Sequence, residues 1–343
     1  MIGRYIVRRL GVAFLQLVFI SLMVFFLMRL LPADPAARLV GLVASEEAYA
    51  KAQADLGLDQ PILVQLATYV GFMPARERGL LQGDMGTSWI SGEPVAEEIL
   101  TFLPITVELL FYSFALGILV SIPVGMVCAV RPGSLADRGA FLYGLFAGSQ
   151  PEFWWGLFFI FIFYDRLGIA PAPLGRLGPL ATMPPKVTGF VTFDALLAGD
   201  IDTFVRALHH LLLPVLALNL VISGPLIKMI RQNMVTVLHS EFILHARACG
   251  LRDRTVAVYA LRNVFAPAMT TVGILFAFLL GGAVLVEKVF SWGGLGEYTI
   301  RSVLEFDFPA IQGVVTVIAG ISLLVYLLLD IAHAVLDPRV TLE

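Results

Sequence analysis

The feature that most constrains this chain is a set of six apolar runs, each long enough to cross a bilayer. A hydrocarbon core about 30 Å thick takes about 20 apolar residues at a rise of about 1.5 Å each. Runs of that kind, almost free of charge, occupy approximately residues 10–28, 104–130, 139–164, 210–227, 267–286 and 309–329. Lipid offers no hydrogen bonds to a backbone, so each run is expected to close its own as a helix. Only 14 % of the residues are charged and 58 % are hydrophobic, against about 25 % and about 45–50 % in soluble domains. The expected fold is an all-α integral membrane protein of about six transmembrane helices, with residues 1–343 forming one membrane domain.

Basic residues orient the spans. Arg4, Arg8 and Arg9 precede the first run, which exceeds the usual length of a secretory signal core and reads as an uncleaved span. Lys228, Arg231, Arg247, Arg252, Arg254 and Arg262 outnumber Glu241 and Asp253 between spans four and five, and Arg131 and Arg138 face only Asp137 after span two. By the positive-inside rule these segments and both termini are expected in the cytoplasm. The acidic stretch after span one, including Asp34, Glu46, Glu47, Asp55, Asp59, Glu77 and Asp84, is expected outside. Three outer segments follow, at 31–103, 166–208 and 287–308, the middle one rich in Pro and Gly and therefore expected to be irregular.

Several chemistries are absent from the sequence. There is no Gly-x-x-x-x-Gly-Lys-Ser/Thr phosphate loop, no His-Glu-x-x-His and no Gly-x-Ser-x-Gly. Gly293, Gly294 and Gly296 meet a dinucleotide fingerprint only in part, because Thr299 stands at its last glycine position. Cys128 and Cys249 lie in unlike surroundings and suggest no disulfide framework. A net charge of -3 argues against a nucleic-acid partner. Ion-coupled secondary transport, or a channel, would need ionisable groups within the spans. Glu108, Glu152 and Asp330 are the candidates, and Glu152 is expected to lie deepest, just after Pro151, as a pore-lining or structural carboxylate.

The stretch between spans four and five carries the most information. Glu241, Phe242, Ala246, Arg247 and Ala248 fit a short helix, Gly250 supplies a turn, and Leu251 leads into a second helix expected to end before Pro267. Ala246, Arg247, Ala248, Gly250 and Leu251, followed by Ala260, Leu261, Arg262, Asn263 and Pro267, resemble the cytoplasmic loop of the first permease subunit of dipeptide and oligopeptide importers of the ATP-binding-cassette class. Leu244 and His245 depart from the broader Glu-Ala-Ala importer motif, as is usual in the peptide branch. The resemblance extends along the chain. It includes Tyr5, Ile6, Arg8, Arg9 and Leu10; Leu31, Pro32, Asp34 and Pro35; Leu56 to Pro61; Gly83, Asp84, Gly86 and Ser88; Val286, Glu287 and Val289 to Trp292; Gly294 to Gly296; and Leu336 to Arg339. Lys288 and Gly293 depart from the commoner Thr and Pro.

The resemblance implies a type I importer permease fold in a bacterial inner membrane. It implies a second homologous permease, two ATP-binding subunits and a periplasmic or lipid-anchored solute-binding protein as partners, with the lipid bilayer around the spans. ATP would be bound by those partner subunits, and no cofactor is expected on this chain. Glu241 to Leu251 would couple to an ATPase, and 228–266 as a whole would be the cytoplasmic coupling loop. The outer residues Phe290, Trp292, Gly294, Glu297 and Arg301 would meet the binding protein, or else anchor span ends at headgroup level.

Overall fold

The computed structural model describes residues 2–41, 45–72, 79–179 and 181–336. Arg76, Glu77 and Arg78 of the outer segment, and Asp337, Pro338 and Arg339 of the C-terminal motif, lie outside the described residues. The regular structure among those described is helical: α1 (Ile2–Leu30), α2 (Pro35–Val40), α3 (Glu46–Asp55), α4 (Ile62–Val70), α5 (Val95–Val130), α6 (Leu135–Ala147), α7 (Glu152–Phe159), α8 (Val191–Leu197), α9 (Ile201–Leu238), α10 (Glu241–Ala248), α11 (Asp253–Val289), α12 (Leu295–Leu304) and α13 (Phe308–Leu336). A single 3-10 turn at Leu80–Gln82 and a π-helical turn at Ile160–Arg166 complete the set.

Five of these helices, α1, α5, α9, α11 and α13, contain stretches long and apolar enough to cross a membrane unbroken. The run expected at 139–164 is instead interrupted. α6 starts on Ser134, whose side chain accepts from Asp137 N at 3.3 Å, and stops at Ala147. Pro151 has no N–H to extend α6 and disfavours helix at Gln150 before it, so the chain turns and restarts as α7. The Trp155 indole then reaches back over the break, donating to Ala147 O at 3.2 Å.

The helices also run past the apolar limits. α5 begins at Val95 rather than near 104, α9 spans Ile201–Leu238 where 210–227 is apolar, and α11 starts at Asp253. Hydropathy marks where lipid ends, whereas a helix satisfies its backbone equally well in water. The stretch 228–266, expected as a loop, is therefore mostly helix, and Pro267 lies inside α11 rather than at a helix start. Within 166–208 the irregular part ends at Phe190, the residue that caps α8.

The chain forms two compact units. In the unit built from 105–293 with 325–343, α9 is the axis on which α6, α7, α8, α10 and α11 pack. Gly224 of α9 faces Gly144 of α6 so closely that a Cβ on Gly224 would stand 3.1 Å from Gly144 Cα. Small residues at such a crossing bring backbones together where lipid gives no hydrophobic drive. Asn219, buried on α9, donates to Ser113 O of α5 at 3.2 Å. At the end of the same interface Arg231 pairs with Asp137 through two hydrogen bonds, one of 2.7 Å, and Asp137 also accepts Gly133 N at 2.8 Å. The Arg231 bonds, followed by the Gly133 amide, hold the Asp137 carboxyl below its usual pKa.

In the unit built from 3–104 with 294–324, α1 and α13 meet through Val24, Met28, Phe308 and Ile311. Ser21 and Thr316 hydroxyls bond at 3.1 Å beneath them. Val95, Ile99, Leu295, Tyr298, Ala310 and Val314 form a second cluster. Asp307 caps α13 through Ala310 N at 3.3 Å and ties down the stretch before α5 through Trp89 N at 3.2 Å and the Ser88 hydroxyl.

Candidate functional site

The short helix α10 is anchored by one residue. Ile243 is fully buried among Ala129, Ile230, Met234, Val256, Ala260 and Val264, which belong to α5, α9 and α11. Ser240 O starts the helix by accepting Leu244 N at 3.1 Å. At its other end Cys249 N bonds His245 O, Gly250 N bonds Arg247 O at 2.9 Å and Leu251 N bonds Ala246 O at 3.2 Å, a closing turn that holds Gly250 at φ +81°. That left-handed conformation is costly for residues with a side chain, which explains the glycine.

The opposite side of α10 is uncovered. Phe242 is 45 % exposed and Leu244 70 %, and Glu241, Arg247, Ala248 and Gly250 are exposed as well, while Ala246 and Leu251 are half-buried. Sequence reasoning found the helix, the turn and most of the surface. It missed Ile243, which no helical periodicity singles out within eight residues, since the neighbouring Phe242 and Leu244 are equally apolar.

Glu152 opens α7 and is buried, and its Oε1 has no hydrogen-bond partner among the described residues. It packs on Gly282 of α11, where a Cβ would come 2.7 Å from the carboxyl carbon. A second buried carboxylate, Glu108 on α5, has a full set of partners. It accepts Thr192 N at 2.9 Å and the Thr192 hydroxyl at 2.6 Å, and lies 3.6 Å from Arg176. Arg176 in turn donates to Gly189 O at 3.1 Å. Burial draws the Arg176 guanidinium below its usual pKa, with Glu108 opposing. Asp194 reinforces the same segment by accepting Thr188 N at 2.7 Å and Gly189 N at 3.0 Å. Burial would raise its pKa, but these bonds bring it below the ordinary value. Glu108 thus serves as a fastener for the irregular stretch that precedes α8.

Phe290 and Trp292 are each only 3 % exposed and close the end of α11 instead of facing outward. Trp292 N bonds Glu287 O at 2.8 Å across Ser291, itself at φ 48°, and Phe290 O accepts Gly175 N at 3.0 Å. Gly294 is a buried helix start, Glu297 is half-buried and Arg301 is exposed on α12. The structure therefore separates the five candidates: Phe290, Trp292 and Gly294 are buried, Glu297 is half-buried and Arg301 is exposed. The aromatic character of the segment is spent on packing, a use that composition cannot tell from partner contact.

The family described as binding-protein-dependent transport system inner membrane component matches residues 121–342, and its N-terminal membrane component counterpart matches residues 1–110. The chain belongs to this family. Among its relatives is the "Probable D,D-dipeptide transport system permease protein DdpB" of Escherichia coli, 38 % identical over 94 % of this chain and 92 % of that protein. The di/tripeptide permease DppB of Pseudomonas aeruginosa is 36 % identical and the dipeptide permease DppB of Escherichia coli 34 % identical, each over 98 % of both chains. The chain is accordingly a multi-pass membrane permease of an ATP-binding-cassette importer. It is a transport subunit that works with other components of such a system, the ATPase residing on separate subunits.

Proposed function

We propose that this permease carries di- or oligopeptides, forming the translocation path with a second homologous permease. Two ATP-binding subunits drive it from the cytoplasm, and an external solute-binding protein delivers the substrate. The peptide class is supported by relatives named as dipeptide and di/tripeptide permeases, which align over nearly the whole chain. The proposed mechanism is alternating access: ATP-driven closure of the ATPases favours one arrangement of the permeases over another, through contacts that differ between the two.

The observation that carries the coupling is α10, a helix rooted by Ile243 whose Phe242 and Leu244 side chains are exposed. Eight residues are too few to span a bilayer, and their exposed apolar side chains are of the kind that fill a partner's groove. An ATPase groove would take Phe242 and Leu244 as anchors, with Glu241, Arg247 and Ala248 at the rim. On the outer side, the exposed Arg301 would meet the binding protein.

The experiment is labelled-dialanine uptake by proteoliposomes holding the four membrane subunits plus binding protein. Phe242→Ala with Leu244→Ala should lower uptake about tenfold or more, the usual consequence of losing anchor residues worth about 2 kcal/mol or more. Undiminished uptake would exclude α10 as the coupling element, and no uptake of any peptide by the wild type would exclude the substrate class.

A further inference from the structure

Between α6 and α9, within the unit built from 105–293, lies a groove of about 770 Å³. Two contacts between the helices bound it. Gly144 lies against Gly224 at one end, and Arg231 bonds Asp137 at 2.7 Å at the other. On each helix seven positions separate the contacts, 137 to 144 and 231 to 224, about 10 Å at the helical rise. The walls are apolar and include Phe141, Leu142, Leu145 and Pro225, and the first three are each more than half exposed. Arg138 and Lys228 also line the groove. Arg138 follows Asp137 directly, and Lys228 is one turn from Arg231 on the same side of α9, so both cations flank the Arg231–Asp137 pair.

The charges of the groove do not balance. Asp137 is the single acid in the lining, and its oxygens are taken by Arg231 and by Gly133 N. Arg138 and Lys228 are exposed, and neither pairs with a carboxylate among the described residues. The apolar runs 139–164 and 210–227 stop one residue short of these two cations. Both therefore stand where acyl chains give way to headgroups, with the apolar walls on the chain side of them. A phosphodiester that carries no ammonium would answer both cations through charge-assisted bonds. A zwitterionic headgroup would bring a third positive charge beside them, and a protein helix seated in the groove would have to supply acids of its own. We propose that this groove binds an anionic phospholipid, its phosphate between Arg138 and Lys228 and an acyl chain along Phe141, Leu142 and Leu145. Basic recesses between membrane helices on the cytoplasmic side are suited to such headgroups. The lipid then packs beside the Gly144–Gly224 crossing that joins the broken span to α9, whatever solute is imported.

Native mass spectrometry of the assembled, delipidated transporter, titrated with phosphatidylglycerol or phosphatidylcholine, tests this. The wild type should bind phosphatidylglycerol more tightly. Arg138→Gln together with Lys228→Gln should weaken phosphatidylglycerol binding at one site by about 10- to 30-fold and leave phosphatidylcholine binding unchanged, because each cation at a lipid surface is worth about a factor of five. A photo-crosslinker in place of Leu142 leaves both cations intact and decides the matter should the double variant fail to assemble. In native membranes it should capture phosphatidylglycerol in excess over that lipid's share of the bilayer. Four results would overturn the proposal: no preference for phosphatidylglycerol in the wild type, a preference unchanged in the double variant, capture of lipids in proportion to the bilayer, or capture of a protein subunit.

Discussion

At the scale of single residues, the positions that matter are those whose conformation or burial admits one kind of side chain. Gly250 is one of them. No atom stands within 4 Å of where its Cβ would be, so the demand for glycine is purely conformational, set by φ +81°. Forcing a β-branched residue into that region costs about 1–2 kcal/mol, whereas asparagine tolerates it. Gly250→Val should therefore release the end of α10 and lower uptake and transport-coupled ATP hydrolysis, while Gly250→Asn should keep most of both. Equal activity of the two variants would mean that the turn does not position the coupling surface. The requirement at Gly250 is legible in the sequence, because helix-compatible residues flank a lone glycine. The anchoring role of Ile243 is not, since burial of one side chain in eight depends on what α5, α9 and α11 bring beneath it.

At the scale of helices, close approach is decided by glycines that face a neighbour. Gly313 of α13 lies against the first turns of α5, where a Cβ would meet Val95 Cγ1 at 2.5 Å and Ile99 Cδ1 at 3.2 Å. Val95 is fully buried and branched at Cβ, so it has little freedom to yield. Gly313→Ala should destabilise this packing by about 1–3 kcal/mol, the usual cost of overfilling a packed interior. The checks are a lower melting temperature of the purified permease complex and recovery on combination with Val95→Ala. Failure of the second substitution to restore stability would place the strain elsewhere. The broken span follows the same logic of local chemistry. Pro151 marks the restart of the helix, but that α6 and α7 both lie along α9 follows from Gly144 meeting Gly224 and Trp155 packing with Ala217 and Val221 there.

For the molecule as a whole, the distribution of basic residues predicts which segments face the cytoplasm. Single cysteines at Glu93 and Arg131, both exposed, in a background with Cys128 and Cys249 replaced, report the orientation. An impermeant thiol reagent applied to intact cells should label the cysteine at 93 and leave the one at 131 unlabelled. The opposite pattern would invert the topology and move α10 to the side away from any cytoplasmic ATPase.

The sequence by itself determined that the chain spans a membrane, roughly where, and to which family of permeases it is similar. Crossing lipid is a local matter: each run must be apolar and close its own backbone bonds, so composition within about 20 residues suffices. What covers each polar group within or beside the spans is not local. Glu108 finds Thr192, distant in sequence by 84 positions, and Arg29 comes to share a cavity with Gln312. A helix that is apolar on nearly every face does not declare which face meets protein, so its pattern cannot name these partners. The tertiary structure alone decided which carboxylates are fastened and which aromatic side chains are buried.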